Sequence, residues 1–235
     1  MSALQLLVGV VLPFVAVLVF VVGMAYRFRV WFKTPQPAKM TLTPAPKGSL
    51  AGAVLAETMF FPSLFKGDRV LWLFSWFFHV TLALIALGHI RVVTGLADAI
   101  LISMGMTAEN VDQMSSISGG AAGIVILATG ALLLARRFVV ARVREISGTG
   151  DFLALLLLLT IIFTGNMMRF GAEHFDLGQT RAWVHSLLTL SPTVPANGTF
   201  LVHALLAQLL FIYIPFSKIL HFGGIFFTQA LVKRS

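Results

Sequence analysis

Five stretches of the chain are apolar at almost every position for long enough to cross a bilayer, which takes about 20 residues as helix. They are Leu4–Tyr26, Val70–Val93, Ile117–Leu134, Phe152–Met168 and Phe200–His221. None alternates polar with apolar as a half-exposed strand does, and backbone polar groups in lipid must be paired within the segment. The pattern therefore predicts an all-α integral membrane protein, one five-helix bundle over residues 1–235. Between the first two spans the pattern changes. Residues 34–65 begin as a Pro-rich connector, Thr34-Pro35-Gln36-Pro37 through Pro44-Ala45-Pro46, and continue as Leu50–Phe65. This second part is apolar but interrupted by Glu57 and Pro62, too short to span, and reads as an interfacial helix or a docking surface for a partner.

Composition agrees with the pattern. Of 235 residues 58% are hydrophobic and 11% charged, where a soluble domain carries about 25% charged residues. Mean hydropathy is +0.93. The net charge of +8 becomes informative once it is placed on the chain. Arg27, Arg29, Lys33, Lys39, Lys47, Lys66 and Arg69 lie between spans one and two, and Arg136, Arg137, Arg142 and Arg144 between spans three and four. Lys218, Lys233 and Arg234 lie at the C-terminal end, whereas the opposite side has only Arg91, Arg169 and Arg181. Cytoplasmic loops are rich in Lys and Arg, so the N-terminus is expected outside and the C-terminus in the cytoplasm, with the first span retained as a helix. The basic excess is then a topology signal, and nucleic acid is not called for. Cys is 0, so the sequence holds no disulfide and no thiolate-ligated zinc or iron–sulfur cluster.

The chemistry-bearing residues within the spans are histidines. His79 and His89 lie on span two, His203 and His221 on span five, and His174 and His185 in the loop between spans four and five, where they read as ordinary loop residues. An ionisable group in a bilayer is costly and marks a function by default. Spans two and five run in opposite directions, so His89 meets His203 near the outer end and His79 meets His221 near the inner end. On an unbroken helix His203 and His221, 18 residues apart, would share one face roughly 27 Å apart, against roughly 15 Å for His79 and His89. Pro215 offers a place for a kink. Facing histidine pairs suit bis-histidine haem iron. The competing readings are a proton or metal-ion pathway and structural histidines in a membrane anchor. No Asp or Glu falls inside the five stretches, which argues against metal transport.

Gly88, Gly119, Gly120, Gly123, Gly223 and Gly224 could admit either a bulky cofactor or a neighbouring helix. Arg91, Arg137, Arg142 and Lys218 are cations near the expected membrane edges that could meet the carboxylates of a haem.

The pieces FHVTLALIALGHIR (Phe78–Arg91), SGGAAGIVILATGALLLARR (Ser118–Arg137), ARVREISGTGDFLALLLL (Ala141–Leu158) and LVHALLAQLLFIYIPFSKILH (Leu201–His221) resemble the gamma, cytochrome b, subunit of respiratory nitrate reductases and its relatives. The endings HFGGIFFTQ (His221–Gln229) and FFPSLFKGDRVLW (Phe60–Trp72) look more like the cytochrome b subunits of sulfite-reductase-linked and heterodisulfide-reductase-like complexes. Nitrate reductases place a quinol-site Lys just before span three, and Glu109–Met114 here has none. The resemblance implies two b haems, the outer ligated by His89 and His203 and the inner by His79 and His221. It implies electron transfer between membrane quinone (menaquinone or ubiquinone) and a cytoplasmic iron–sulfur subunit, either heterodisulfide-reductase-like or nitrate-reductase-beta-like. Further membrane and periplasmic subunits are compatible with such a complex. Quinol would bind beside the outer haem, with Gly88 and His89 lining the site. The chain would then be an oxidoreductase subunit of the inner (cytoplasmic) membrane, active only in its complex and with no catalytic residue beyond the haem ligands.

Overall fold

The computed structural model describes residues 1–34, 49–171 and 176–232. The Pro-rich run from Pro35 to Pro46 and His174 lie outside the described residues. Among the described residues five helices are long and apolar enough to cross a membrane: Ala3–Lys33, Arg69–Val93, Ala108–Val139, Thr149–Phe170 and Gly198–Phe216. Span two packs on span three, three on four, four on five, and five on one. Spans two and five, which carry the histidines, share no such packed seam. Large apolar side chains such as Leu18, Val22, Leu84, Leu87, Phe163 and Phe211 face outward, as suits a lipid solvent.

Several helices outrun their apolar cores. Thr107 caps the third span, its hydroxyl accepting from the Asn110 amide at 3.1 Å. From there the helix continues through Glu109 and Asp112 to Arg136 and Arg137, for 32 residues. That is about 48 Å of helix against about 30 Å of hydrocarbon, so both ends project and carry the charges outside the apolar layer. Asp68 caps the second span (Leu71 N to Oδ1, 2.9 Å) and also takes Arg136 of the third at 2.7 Å, tying neighbouring helix ends together. Asn197 caps the fifth span through the Phe200 amide at 2.8 Å.

The fifth span departs from expectation. It does not run unbroken from Phe200 to His221. The α-helix ends at Tyr213, tightens through Ile214–Phe216, and stops at Ser217, whose backbone is extended (φ −120°, ψ 170°). A short turn, Lys218–Leu220, leads to a new helix that begins at His221. Pro215 has no amide hydrogen to continue the ladder, and the Ser217 hydroxyl accepts from the Ile219 amide at 3.3 Å to start the next turn. His203 and His221 therefore do not share one face of a single helix.

The first span supports this break. Pro215 is buried against Gly23, where a Cβ would stand 2.6 Å from the Pro215 Cβ. Nearer its start the same span loosens into a π-helical segment, Leu7–Val11. The Gln208 amide donates to the Val8 carbonyl at 2.9 Å, and the Trp183 indole to the Gly9 carbonyl at 2.7 Å. Val8, Met168, Phe200, Leu201 and Ala204 form the packed cluster beside them.

The apolar segment before span two is two helices, Leu50–Phe60 and Pro62–Gly67, hinged at Phe61 in the left-handed region (φ 51°). The hinge is braced. Trp72 and Trp76 donate their indole hydrogens to the carbonyls of Phe60 (2.7 Å) and Met59 (3.0 Å). Buried Glu57 accepts from the Ser63 amide (3.2 Å) and hydroxyl (2.9 Å). Leu50–Phe60 packs against the helix that begins at His221.

Replacing Gly23 with Ala is expected to lower stability by about 1–3 kcal/mol, because the new methyl meets the rigid Pro215 ring. Thermal unfolding in detergent measures this; an unchanged midpoint would mean that the first span does not brace the break.

Candidate functional site: two facing histidine pairs

The break at Ser217 and the antiparallel course of spans two and five bring four histidines into two pairs. The His89 and His203 rings lie with centroids 6.3 Å apart and planes 14° from parallel. The His79 and His221 rings lie 5.8 Å apart at 79°, nearly perpendicular. His185 is exposed on the helix Leu177–Leu188 and joins neither pair.

Each ring is tied through Nδ1. His79 Nδ1 bonds the Ser75 carbonyl (2.7 Å), His89 Nδ1 the Ile85 carbonyl (2.7 Å) and His221 Nδ1 the Lys218 carbonyl (2.9 Å). A carbonyl only accepts, so in these three rings Nδ1 carries the proton and the lone pair of the neutral imidazole sits on Nε2. His203 Nδ1 stands 3.0 Å from the Thr164 hydroxyl oxygen. That hydroxyl has one proton, and the carbonyls of Ile161 (2.9 Å) and Thr160 (3.1 Å) can take it, which leaves Nδ1 of His203 as donor to Oγ1. All four rings thus present Nε2 as the ligand atom. This is the arrangement in which a second partner fixes tautomer and orientation.

The spacing tests what such a site could hold. Imidazole nitrogen binds a first-row metal ion at about 2 Å, so two rings on opposite sides of one ion have centroids roughly 6 Å apart. Both pairs meet that distance. Among the described residues no group of three or more His, Cys, Asp or Glu converges. Each pair can therefore give an ion two protein ligands and no more. That is too few for a structural zinc site, and it suits an iron whose remaining positions are filled by a macrocycle.

Side chains around the pairs were not all foreseen. Thr164 and Gly165 together seat His203: the hydroxyl meets Nδ1, and a Cβ on Gly165 would come 3.3 Å from Cε1. The rings of Phe61 (5.3 Å, 83°) and Phe78 (5.6 Å, 78°) stand edge-on to His79. A Thr-Gly step inside an otherwise aliphatic run was the available sequence signal for the first. Nothing local marked Phe61.

The glycines serve helix packing for the most part. Gly119 faces the Arg169 guanidinium, Gly120 the Phe170 ring and Gly123 the Asn166 amide, all on span four. Gly223 faces Phe28 and Gly224 faces Trp31. Gly88 alone of these six has open space where a Cβ would be. The cations expected near cofactor carboxylates have mostly found partners in the protein. Arg91 binds Asp98 (2.6 Å) and Asp112 (2.7 Å), Lys218 binds Asp151 (2.9 Å), and Arg137 donates to the Ser147 hydroxyl (2.8 Å). Arg142 is exposed.

Asp98 is the hub of the charged group beside His89. It accepts from Arg91 on both oxygens (2.6 and 3.2 Å) and from Arg181 on Oδ2 (2.6 Å), and its side chain is only 16% exposed. The Arg91 guanidinium, with Arg181 behind it, holds its carboxyl below the usual carboxylate range despite partial burial.

Comparison with known proteins adds to this geometry. A family described as nitrate reductase gamma subunit matches residues 62–233. A Hdr-like menaquinol oxidoreductase cytochrome b-like subunit of Archaeoglobus fulgidus is 32% identical, covering 94% of this chain and 77% of the relative. Its counterpart in Archaeoglobus profundus is 26% identical over 92% and 76%. The respiratory nitrate reductase 1 gamma chain of Escherichia coli is 31% identical, over 48% of this chain and 54% of the relative.

Because the folded pKa of Asp98 is depressed, its contribution is complete above the unfolded value, about 4, and is lost as pH falls through the folded value. Asp98→Asn should therefore cost about 1–3 kcal/mol at neutral pH, with the gap to wild type closing in acid. Unfolding midpoints of both proteins across pH 3 to 7 (about one unit below the usual carboxyl pKa to neutrality) check the sign.

Proposed function

The chain belongs to the nitrate reductase gamma-subunit family of membrane electron-transfer subunits, and on that footing we propose that it is the di-haem b subunit of a respiratory complex, carrying electrons between the quinone pool and a cytoplasmic iron–sulfur partner. The observation that carries the reading is the disposition of the four imidazoles: two pairs, each at metal-bridging separation, each ring locked with Nε2 free.

In this reading His89 and His203 hold one haem and His79 and His221 the other. When bound, the haems would supply one-electron chemistry, and holding each by two histidines would suit electron transfer rather than oxygen binding. The protein residues supply the rest. Backbone carbonyls of Ser75, Ile85 and Lys218 and the Thr164 hydroxyl fix the Nδ1 side of each ring and so hold its orientation. The N-terminus lies outside and the C-terminus in the cytoplasm, as the placement of Lys and Arg supports. The His89–His203 pair is then the outer one. Gly88 and His89 are exposed there, with open space at the Gly88 Cα, and they line the proposed quinol site. Oxidation of the quinol at that end releases its protons outside. Each charge that crosses the field is worth about 2.3 kcal/mol per 100 mV, which links the redox reaction to membrane energy.

The sequence has no Cys with which to hold an iron–sulfur cluster, so the electrons need a partner protein at the inner end. The archaeal relatives named for menaquinol oxidation match nearly the whole chain, whereas the nitrate reductase chain matches about half. This favours menaquinol as the donor and a heterodisulfide-reductase-like partner over a nitrate reductase.

Pyridine haemochrome analysis of the purified protein should return two protohaems per chain. In His89→Ala the haem of the His89–His203 pair should be lost, the other retained, and reduction by a soluble quinol analogue abolished. In His79→Ala the remaining haem should be the one that the first variant lost. Wild-type protein without a reduced-minus-oxidised haem spectrum would overturn the proposal.

A further inference from the structure

Arg169, near the end of span four, is a cation for which the fold makes room but, among the described residues, supplies no counter-charge. Its guanidinium rests on Gly119 of span three, where a Cβ would come 2.8 Å from Nη2 and 2.9 Å from Cζ. Gly120 leaves space for the stem of the same side chain, its Cδ lying 3.5 Å from the position of a Cβ. Nη1 donates to the carbonyls of Ser116 (3.1 Å) and Ser115 (3.3 Å), and among the described residues no carboxylate comes within ion-pairing distance. The other arginines at the same end of the bundle have carboxylate partners. Arg91 and Arg181 share Asp98, and Arg91 also takes Asp112, so two cations meet two carboxylates. Arg169 has no such partner among the described residues. A half-buried guanidinium without an anion is costly, and a berth lined by two glycines shows that its position is built rather than incidental.

The position is informative. Gly165, which abuts His203, lies one helical turn earlier on span four, about 6 Å along the axis. Arg91, two residues beyond His89, reaches Asp112 on span three, and Arg169 reaches Ser115 and Ser116 one turn further along that helix. The unpaired charge thus stands at the end of the bundle next to the His89–His203 pair.

We propose that Arg169 is the counter-charge for a carboxylate of the group held between His89 and His203; this rests on the haem reading above. A b-type haem carries propionate carboxylates along one edge, and Nη2 and Nε of Arg169 have no partner among the described residues. Fixed positive charge beside the porphyrin favours the reduced iron, so Arg169 also raises the potential of this haem relative to its neighbour.

The test is a potentiometric titration of the full-length protein in its complex, comparing Arg169→Gln with Arg169→Lys. Glutamine keeps an amide donor for the Ser115 and Ser116 carbonyls but removes the charge; lysine keeps the charge. The haem component that disappears in His89→Ala should shift to lower potential in Arg169→Gln and stay near the wild-type value in Arg169→Lys, with the other component unmoved in both. The proposal is overturned if the glutamine variant leaves that component's midpoint and occupancy at wild-type values. It is also overturned if both variants shift alike, which would indicate a packing role. Should the glutamine variant not accumulate, Gly119→Ala crowds the guanidinium without altering charge and should move the same component in the same direction; an unmoved component there counts against the proposal. Failure of the haem reading itself is distinct, since it would leave no haem component to titrate in the wild type.

Discussion

A histidine within a lipid-solvated bundle must remain neutral and must spend its one N–H on an acceptor. Here that requirement also aims the ring. Once Nδ1 is committed to Ser75, Ile85, Lys218 or Thr164, Nε2 is the nitrogen left free, and the ring is held in one orientation. Three of the acceptors are main-chain carbonyls three or four residues earlier in the chain, so the helix itself orients the ring. His203 is the exception. Its acceptor is a hydroxyl on another span, and its orientation therefore depends on the packing of span four against span five.

The second dependence is on the break in span five. Along span two the histidines are separated by ten residues, or about 15 Å, and their partners are separated by 18 residues. A straight helix would place those partners too far apart to face both. The chain resolves the mismatch with an extended Ser217 and a short turn, so that His221 re-enters at the head of a new helix. The break is held from the side by Gly23 against Pro215, and the level of the first span by the Val8 and Gly9 carbonyls. The first span carries no ligand, yet the relative height of the two pairs rests on it.

Much of this was legible in the sequence because lipid is an unforgiving solvent: apolar runs of bilayer length had to be helices, and five were found as expected. The juxtaposition of His89 with His203 and of His79 with His221 followed from the opposite directions of spans two and five. Span ends were less legible, since capping residues such as Thr107 carry a helix beyond its apolar core. Proline at 215 advertised a kink, but whether a helix bends or ends there depends on what packs against it, and Gly23 lies almost two hundred residues earlier. The glycines of span three left two readings open for a related reason. Small residues signal close approach without saying what approaches, and the visitors were Arg169, Phe170 and Asn166. Thr164 and Gly165 are ordinary residues for a membrane helix and gain significance only from His203.

The two ends of the bundle solve different problems. Beside His89 and His203 lies a charged lattice, with Asp98 and Asp112 joining Arg91 and Arg181 across spans two and three and the helix Leu177–Leu188. Ion pairs there clamp the helix ends while leaving the Gly88 surface open, which suits a site that a lipid-soluble molecule must enter from the side. Beside His79 the neighbours are aromatic, and the Phe61 hinge is held in a left-handed conformation that a bulky residue adopts only when its surroundings impose it. Two indole donors and the Glu57–Ser63 bonds provide that imposition. This bracket beside His79 presents Met59, Phe60 and Phe65 outward, more than a third exposed in each case. On the proposed topology these apolar side chains face the cytoplasmic partner. The fold thus leaves the His89 end open at Gly88 beside a charged lattice and brackets His79 with aromatic rings, with the imidazoles oriented by local backbone acceptors and, at His203, by a single hydroxyl.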